Sequence, residues 1–570
     1  MPQGKIIARE VPLELFLEDF VPYDESIAWR IHDAYYAERG IAAWTGGDIP
    51  FAGTNNSGIA RQHARLFVEL VRELDATGAL APDDLVHVLE VGSGACTFAV
   101  NFVDALAHDC GAAGRALAGR LRYVISDYSP RNLEEATAST KLASLVASGT
   151  VVPATFDLRR PGELAIPSPR GGRRGARVSL AAVVANYVCC VSPLKVIRRT
   201  ADGLFEKHLR LKIDVADAAE GKAVTRALTR ATSALPPAEL LQRIEAVHAW
   251  RPLDLEKAFA AANDRALVTE FLDSLGEATI NYPYAFLDLL RGLRPRLLPG
   301  GMFLVSDFGS PDRSDVQSPT NDRAPVKYGL SLTHDVDFAL LDAFAAREGL
   351  AIVRTDDGLL EVHTAAIRNM RRVPASFAAK FERTHVRSAQ GQELLDLSAA
   401  AAVLYDAGRF HESARLYGLC LRIAPRSPQV IYRFGRAALA ANVQGPRMLR
   451  RLARRLRVGR RLDARRTHDW DTLLARVSLA LGEAGKARQL LVRSLGESET
   501  ASKHETLALA YELLGDRKRA YASRLRALEL EPVGEPAALA RERLFREYLS
   551  GEDAPVRWRP RRDKARQPRT

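Results

Sequence analysis

The chain has 570 residues, 47% of them apolar, and a formal net charge of +12. That length and apolar share exclude an unfolded chain, and a prior of about 150 residues per domain gives two to four units. The most apolar run, VSLAAVVANYVCCV, is shorter than the roughly 20 residues that cross a bilayer, and the opening MPQGKIIAREVPLELFLEDF carries charges throughout, so a cytoplasmic protein without a membrane span is expected.

Residues 1–84 read as an N-terminal helical cap. From about 85 to 160, branched runs (VHVLEVG, LRYVISD, VVPATFDL) alternate with helix-length segments, the pattern of parallel strands joined by crossover helices. The pattern resumes at VSLAAVVANYV and GGMFLVSDFG and closes with an antiparallel pair in LAIVRT and LLEVHTAAI. An α/β fold with a doubly wound, Rossmann-like parallel sheet over 85–385 is expected. Residues 198–283, rich in Ala, Leu, Glu and Arg, read as a helical insertion over the strand ends, and PGELAIPSPRGGRRGAR as a mobile surface loop.

Beyond 385 the pattern is helical only. Gly408 stands 17 residues before Pro425, Gly515 stands 17 before Pro532, and Gly482 lies 33 ahead of Gly515. A helix hairpin recurring at this spacing predicts an all-α tetratricopeptide-like repeat domain over 386–550, with Ser413, Ala487 and Ala520 where paired helices approach. Residues 551–570 read as a basic, disordered tail.

Charge is concentrated in two blocks. Ten arginines against Asp463 give +9 over Arg447–Arg466, and Arg557–Thr570 gives +6, so the remainder is slightly acidic. Such blocks suit nucleic acid or acidic protein, or serve as a solvated helix face and tail. Nucleic acid is therefore a secondary expectation, and no N-P-P-Y element for base methylation is present. The five cysteines lack C-x-x-C pairing, so neither disulfides nor metal are expected, and Cys189 and Cys190 read as small apolar residues of a buried strand.

The candidate site lies at the strand ends. In LEVGSGACTF, Gly92 and Gly94 allow close backbone approach, and Cys96 occupies the position of a third glycine. Asp127 ends the second strand, where a carboxylate can accept both hydrogens of a ribose diol. A dinucleotide fingerprint needs glycine at 97, where Thr97 stands. Glu90, two residues ahead of the first glycine, together with Asp157 beside an adenine, points to S-adenosyl-L-methionine. The expected cofactor-binding residues are Glu90, Gly92, Ser93, Gly94, Asp127, Tyr128 and Asp157. Methyl transfer is a direct displacement and calls for positioning groups. Asn186, Tyr187 and Asp307 are the catalytic candidates, with Asp48 as a further loop acid.

In order, YYAERGIAAWTGGD, VLEVGSGACTFA, YVISDYSPRNLEEA, VVANYVCCVSPL, GGMFLVSDFGS and LTHDVDF resemble the MidA-like class I methyltransferases over residues 1–380. That group includes the mitochondrial complex I assembly arginine methyltransferase. The resemblance implies S-adenosylmethionine as cofactor and a protein, arginine in a characterised member, as acceptor. Two stretches depart from it. Tyr187 and Cys190 stand where the family has acids, and Ser331 and Asp335 replace an acid and a histidine. The expected function is a methyltransferase acting on a protein recruited by the repeats. A catalytically altered scaffold or assembly factor and a natural-product methyltransferase are the alternatives.

Overall fold

The computed structural model describes residues 13–45, 55–167, 178–229, 236–316, 326–356, 362–387, 390–442, 445–463, 468–496, 498–531 and 541–542. The expected tail 551–570, Asp48 and most of the expected mobile loop (168–177) lie outside them. The chain divides into two compact units, Met1–Asp396 and Leu397–Thr570. The division falls within the helix Gln390–Asp406.

The strands of the first unit are β1 (Leu13–Phe16), β2 (Val21–Pro22), β3 (Val86–Val91), β4 (Leu121–Asp127), β5 (Val151–Thr155), β6 (Leu180–Asn186), β7 (Lys195–Thr200) and β8 (Gly203–Val215). They continue with β9 (Glu245–Pro252), β10 (Ala278–Tyr282), β11 (Leu297–Ser310), β12 (Val326–Tyr328), β13 (Ser331–Thr333), β14 (Val336–Asp337), β15 (Ala351–Arg354) and β16 (Val362–Arg368).

The main sheet runs β15-β16-β11-β6-β3-β4-β5. β5, β4, β3, β6 and β11 are parallel, and β16 lies antiparallel to both β11 and β15. Its strands are buried on both faces. In β3, Val86 and Val88 belong to one core while Leu89 and Val91 belong to the other. Both faces must be apolar under two helical layers, which is why these strands are predominantly apolar, with few polar interruptions. Strand order reverses at β3 and β6, so their carboxyl ends flank the crevice where such sheets receive ligands.

The expected helical insertion over 198–283 is corrected. It contains helices, but also β8, β9 and β10, which with β7 and the N-terminal β1 and β2 form a second, wholly antiparallel sheet. In β8, Leu209, Leu211, Ile213 and Val215 are buried and alternate with Arg210, Lys212 and Asp214, a period-two strand signal inside a helix-favouring composition. The N-terminal region is likewise mixed: the helices Ile27–Arg39 and Ser57–Ala76 are accompanied by β1 and β2.

The second unit is helical. Successive helices span Phe410–Ile423, Pro428–Ala440, Pro446–Leu462, Trp470–Ala480, Ala484–Leu495, Ala501–Leu513 and Arg517–Leu530. Ser427, Asp469, Thr500 and Asp516 cap helix starts by accepting backbone amides. The small residues Ser413, Ala487 and Ala520 are buried, and the Ser413 hydroxyl donates to the Ala401 carbonyl at 2.7 Å. Among the described residues, no helix is long and apolar enough to cross a membrane.

Candidate active site

At the carboxyl end of β3 the chain turns through Gly92 and Gly94, with φ of 64° and 46°, and enters the helix Thr97–Asp109. A Cβ on Gly94 would stand 3.1 Å from the Trp44 ring, so glycine serves both the left-handed backbone and the close aromatic cover. Cys96, in the position of the missing third glycine, adopts φ 55°. The glycine conformation is thus retained without glycine. The turn is tied to β4 by Ser93, whose N–H donates to the Ser126 carbonyl at 2.7 Å and whose Oγ accepts the Ser126 N–H at 3.0 Å.

Asp127, at the end of β4, faces this turn. Its Oδ2 accepts the Gly94 N–H at 3.2 Å, and its Oδ1 accepts the Ser129 N–H at 2.9 Å and the Asn132 amide at 3.2 Å. A carboxylate offers about four acceptor sites, so three are taken and one remains for a ligand hydroxyl. That is half of what the expected ribose-diol contact requires. Burial raises the pKa of Asp127, opposed by these same hydrogen bonds.

β6 ends at Asn186, which is 6% exposed and whose amide O and N both lack a partner among the described residues. Tyr187 follows with φ 55°, a strained setting for a bulky residue, and stacks on Phe308 at 4.7 Å. The next turn, Cys189–Val191, is a single 3-10 turn and not the buried strand expected for Cys189 and Cys190. Both thiols are buried, and burial pushes their pKa values up.

A cavity of about 370 Å³ joins these elements. Gly92, Ser93, Gly94, Asp127, Tyr128, Asp157, Asn186 and Tyr187 line it, so eight of the ten expected site residues meet there. Glu90 does not. It is 2% exposed behind the wall, beside the Tyr123 and Ser93 hydroxyls, and burial raises its pKa to about 8. Asp307 does not either: fully buried, it accepts the Cys190 and Phe308 amides at 3.0 Å each, and holds the turn that carries Tyr187. The Asp157 carboxylate lines the wall, but Arg159 occupies both of its oxygens. Burial would raise its pKa, and the hydrogen bonds from Arg159 overcome that and lower it.

The outer wall was missed by sequence reasoning. Trp29, His32, Asp33 and Tyr36 project from the helix Ile27–Arg39, and Trp44 covers Gly94. The available signal was the spacing of 29, 32, 33 and 36, one face of a helix carrying two aromatics and an imidazole. His32 Nε2 lies 3.2 Å from Ser331 Oγ, to which the Tyr36 hydroxyl donates at 3.1 Å. Burial lowers the His32 pKa to about 4, so the ring is neutral at pH 7. Asp24, also on the wall, accepts from Lys195 at 3.1 Å and from the Tyr284 hydroxyl at 3.0 Å.

No protein-family model matches the chain, and no curated protein matches it. Among solved structures, the chain is similar to a superfamily member described as a "likely methyl transferase" from Burkholderia thailandensis, bound to S-adenosyl-homocysteine. The identity is 17%, covering 64% of this chain and 91% of that one, with a TM-score of 0.39. The N-methyltransferase NodS from Bradyrhizobium japonicum, also with S-adenosyl-homocysteine, is 12% identical over 59% of this chain and 97% of its own, with a TM-score of 0.24. The MamA protein is 19% identical over 27% of this chain and 81% of its own, with a TM-score of 0.22.

Proposed function

We propose that the first unit is an S-adenosylmethionine-dependent methyltransferase of the MidA-like kind whose acceptor is a protein side chain. One conjunction carries this reading. A turn free of side chains at Gly92 and Gly94, a carboxylate with one acceptor site left at Asp127, and the unpartnered buried amide of Asn186 face one cavity at the switch point. These groups fit the cofactor: the turn admits close approach, Asp127 takes a ribose hydroxyl, and Asn186 supplies a donor and an acceptor. The bound cofactor supplies a sulfonium methyl group open to direct displacement.

The chain's own residues orient and cover. Well-oriented reactants reach effective molarities of about 10⁵ M or more, so Tyr187, locked by Phe308 and its turn, and Trp44 serve by fixing position and excluding water. Neutral His32, held through Nε2 by Ser331, contributes an uncharged imidazole that helps position the acceptor on the wall. Glu25 places a carboxylate on the wall that suits a guanidinium or ammonium acceptor, arginine being the form the family resemblance suggests, while Asp24 is held by Lys195. The helices of the second unit, taken as tetratricopeptide-like repeats, recruit the acceptor protein.

A cofactor-binding scaffold or assembly factor is the second reading. It rests on Tyr187 and Cys190 in place of acids and on Asp307, whose oxygens both serve backbone amides. Incubating cell extract with the protein and methyl-labelled cofactor separates the readings. Label in a protein band that disappears with Asn186→Ala is expected. Label confined to small molecules reassigns the acceptor to a natural product, and no enzyme-dependent label favours the scaffold.

A further inference from the structure

The methyltransferase reading makes no use of the most basic element of the chain, the helix Pro446–Leu462. Its apolar stripe of Leu449, Leu452, Ala453, Leu456 and Gly459 is buried within the second unit. Arg460, next to that stripe, pairs with Asp471 at 3.0 Å. The other seven arginines, Arg447, Arg450, Arg451, Arg454, Arg455, Arg457 and Arg461, are exposed, and among the described residues none forms an ion pair. The helix has no acidic residue.

At about 3.6 residues per turn these seven side chains occupy an arc of roughly 160°, and at about 1.5 Å per residue they extend over about 21 Å. Arg455 and Arg457 splay to opposite sides, while Arg447, Arg454 and Arg461 run near the crest. Many stand three or four residues apart, where like charges oppose helix formation. A polyanion relieves that repulsion. The helix itself has no aromatic residue, the half-buried Phe434 beneath Arg455 being the aromatic beside it, and its exposed large apolar residues are Met448 and Val458. A protein interface draws on buried aromatic anchors, and single-strand binding on stacking platforms, whereas phosphate contacts need only guanidinium groups. The B-form major groove is about 12 Å wide and admits a helix between two phosphate walls, while the A-form major groove is deep and narrow.

We propose that this arginine face binds the phosphate backbone of double-helical DNA, without reading its sequence. The test is fluorescence anisotropy of the full chain with a labelled 20-base-pair duplex of arbitrary sequence, about two turns, across a salt series. Binding at low salt is expected, with affinity falling steeply and log-linearly as salt rises. In the triple variant Arg450→Gln/Arg454→Gln/Arg457→Gln, the magnitude of the slope should fall by up to about 0.9 per phosphate contact removed. The charge-matched control Arg371→Gln/Arg372→Gln/Arg383→Gln removes exposed arginines of the first unit and should keep the wild-type slope. All six positions are exposed, so folding is undisturbed, as circular dichroism will verify. Absence of binding at low salt, equal losses in both triples, or equal competition by poly-glutamate or an A-form RNA duplex would overturn the proposal.

Discussion

Asp307 accepts the backbone N–H of Cys190 at 3.0 Å, joining the end of β11 to the turn that follows β6. The same carboxylate accepts the Phe308 N–H at 3.0 Å. Asp307→Ala removes the acceptor of the buried Cys190 amide, at about 1–3 kcal/mol, and one acceptor of the half-buried Phe308 amide. A lower melting temperature and weaker cofactor binding are expected together, because the turn carries Tyr187. Loss of methyl transfer with melting temperature and cofactor affinity unchanged would return Asp307 to direct catalysis.

Glu90 is predicted to make stability fall as pH rises between about 4.5 and 8. Burial raises its folded-state pKa from 4.5 to about 8, so the folded protein holds this proton longer than the unfolded chain. Its contribution is complete below pH 4.5 and is lost as pH rises through about 8. Asp307, raised to about 7, acts in the same direction. Urea midpoints at pH 6.5 and 8.5 should show the wild type weaker at the higher pH, by about 1 kcal/mol or more. Glu90→Gln should flatten that difference, and an unchanged difference would contradict the assignment.

Cys96 occupies a left-handed position, φ 55°, while 1% exposed. Glycine takes this conformation without strain, whereas a side chain costs about 1–2 kcal/mol. Glycine's greater freedom in the unfolded chain offsets much of that gain. Cys96→Gly is therefore expected within about 1 kcal/mol of wild type by chemical denaturation, with cofactor affinity little changed. Cys96→Val, β-branched in the same conformation, should lose clearly more stability. Equal effects of the two would show that the thiol, and not the backbone, matters there.

Gly94 is held by two constraints that can be separated. Gly94→Ala meets both φ 46° and the Trp44 ring, and should weaken cofactor binding at least tenfold. Measured against Trp44→Ala alone, which removes part of the site's cover, the added Gly94→Ala meets the dihedral but not the contact, so a smaller loss than in the wild-type background is expected by calorimetry. No loss in that background would mean that the backbone tolerates a side chain.

Much of the sheet was legible because burial on both faces leaves a mark at every position: β3, β4 and β6 are near-continuous branched runs. β8 carries a clear alternation in Leu209, Leu211, Ile213 and Val215, but the Ala, Leu and Arg that dominate its surroundings favour helix. In the site, Gly92, Gly94 and Asp127 were readable because each sits within a few residues of a strand end. The role of Asp307 was not, since its partner Cys190 lies 117 positions away. Nor was the burial of Glu90 behind the wall, since alternation along β3 does not show which carboxylate faces the ligand. The N-terminal wall escaped because a helix that packs on its own domain and one that covers a ligand share the same periodicity.

The central claim is that Asp127 and the turn at Gly92 and Gly94 hold S-adenosylmethionine. Isothermal titration of the full chain with that cofactor tests it most directly, beside Asp127→Ala. One site per chain is predicted, with affinity at least tenfold weaker in the variant. No heat from the wild type, or equal affinity in a folded variant, would contradict the claim.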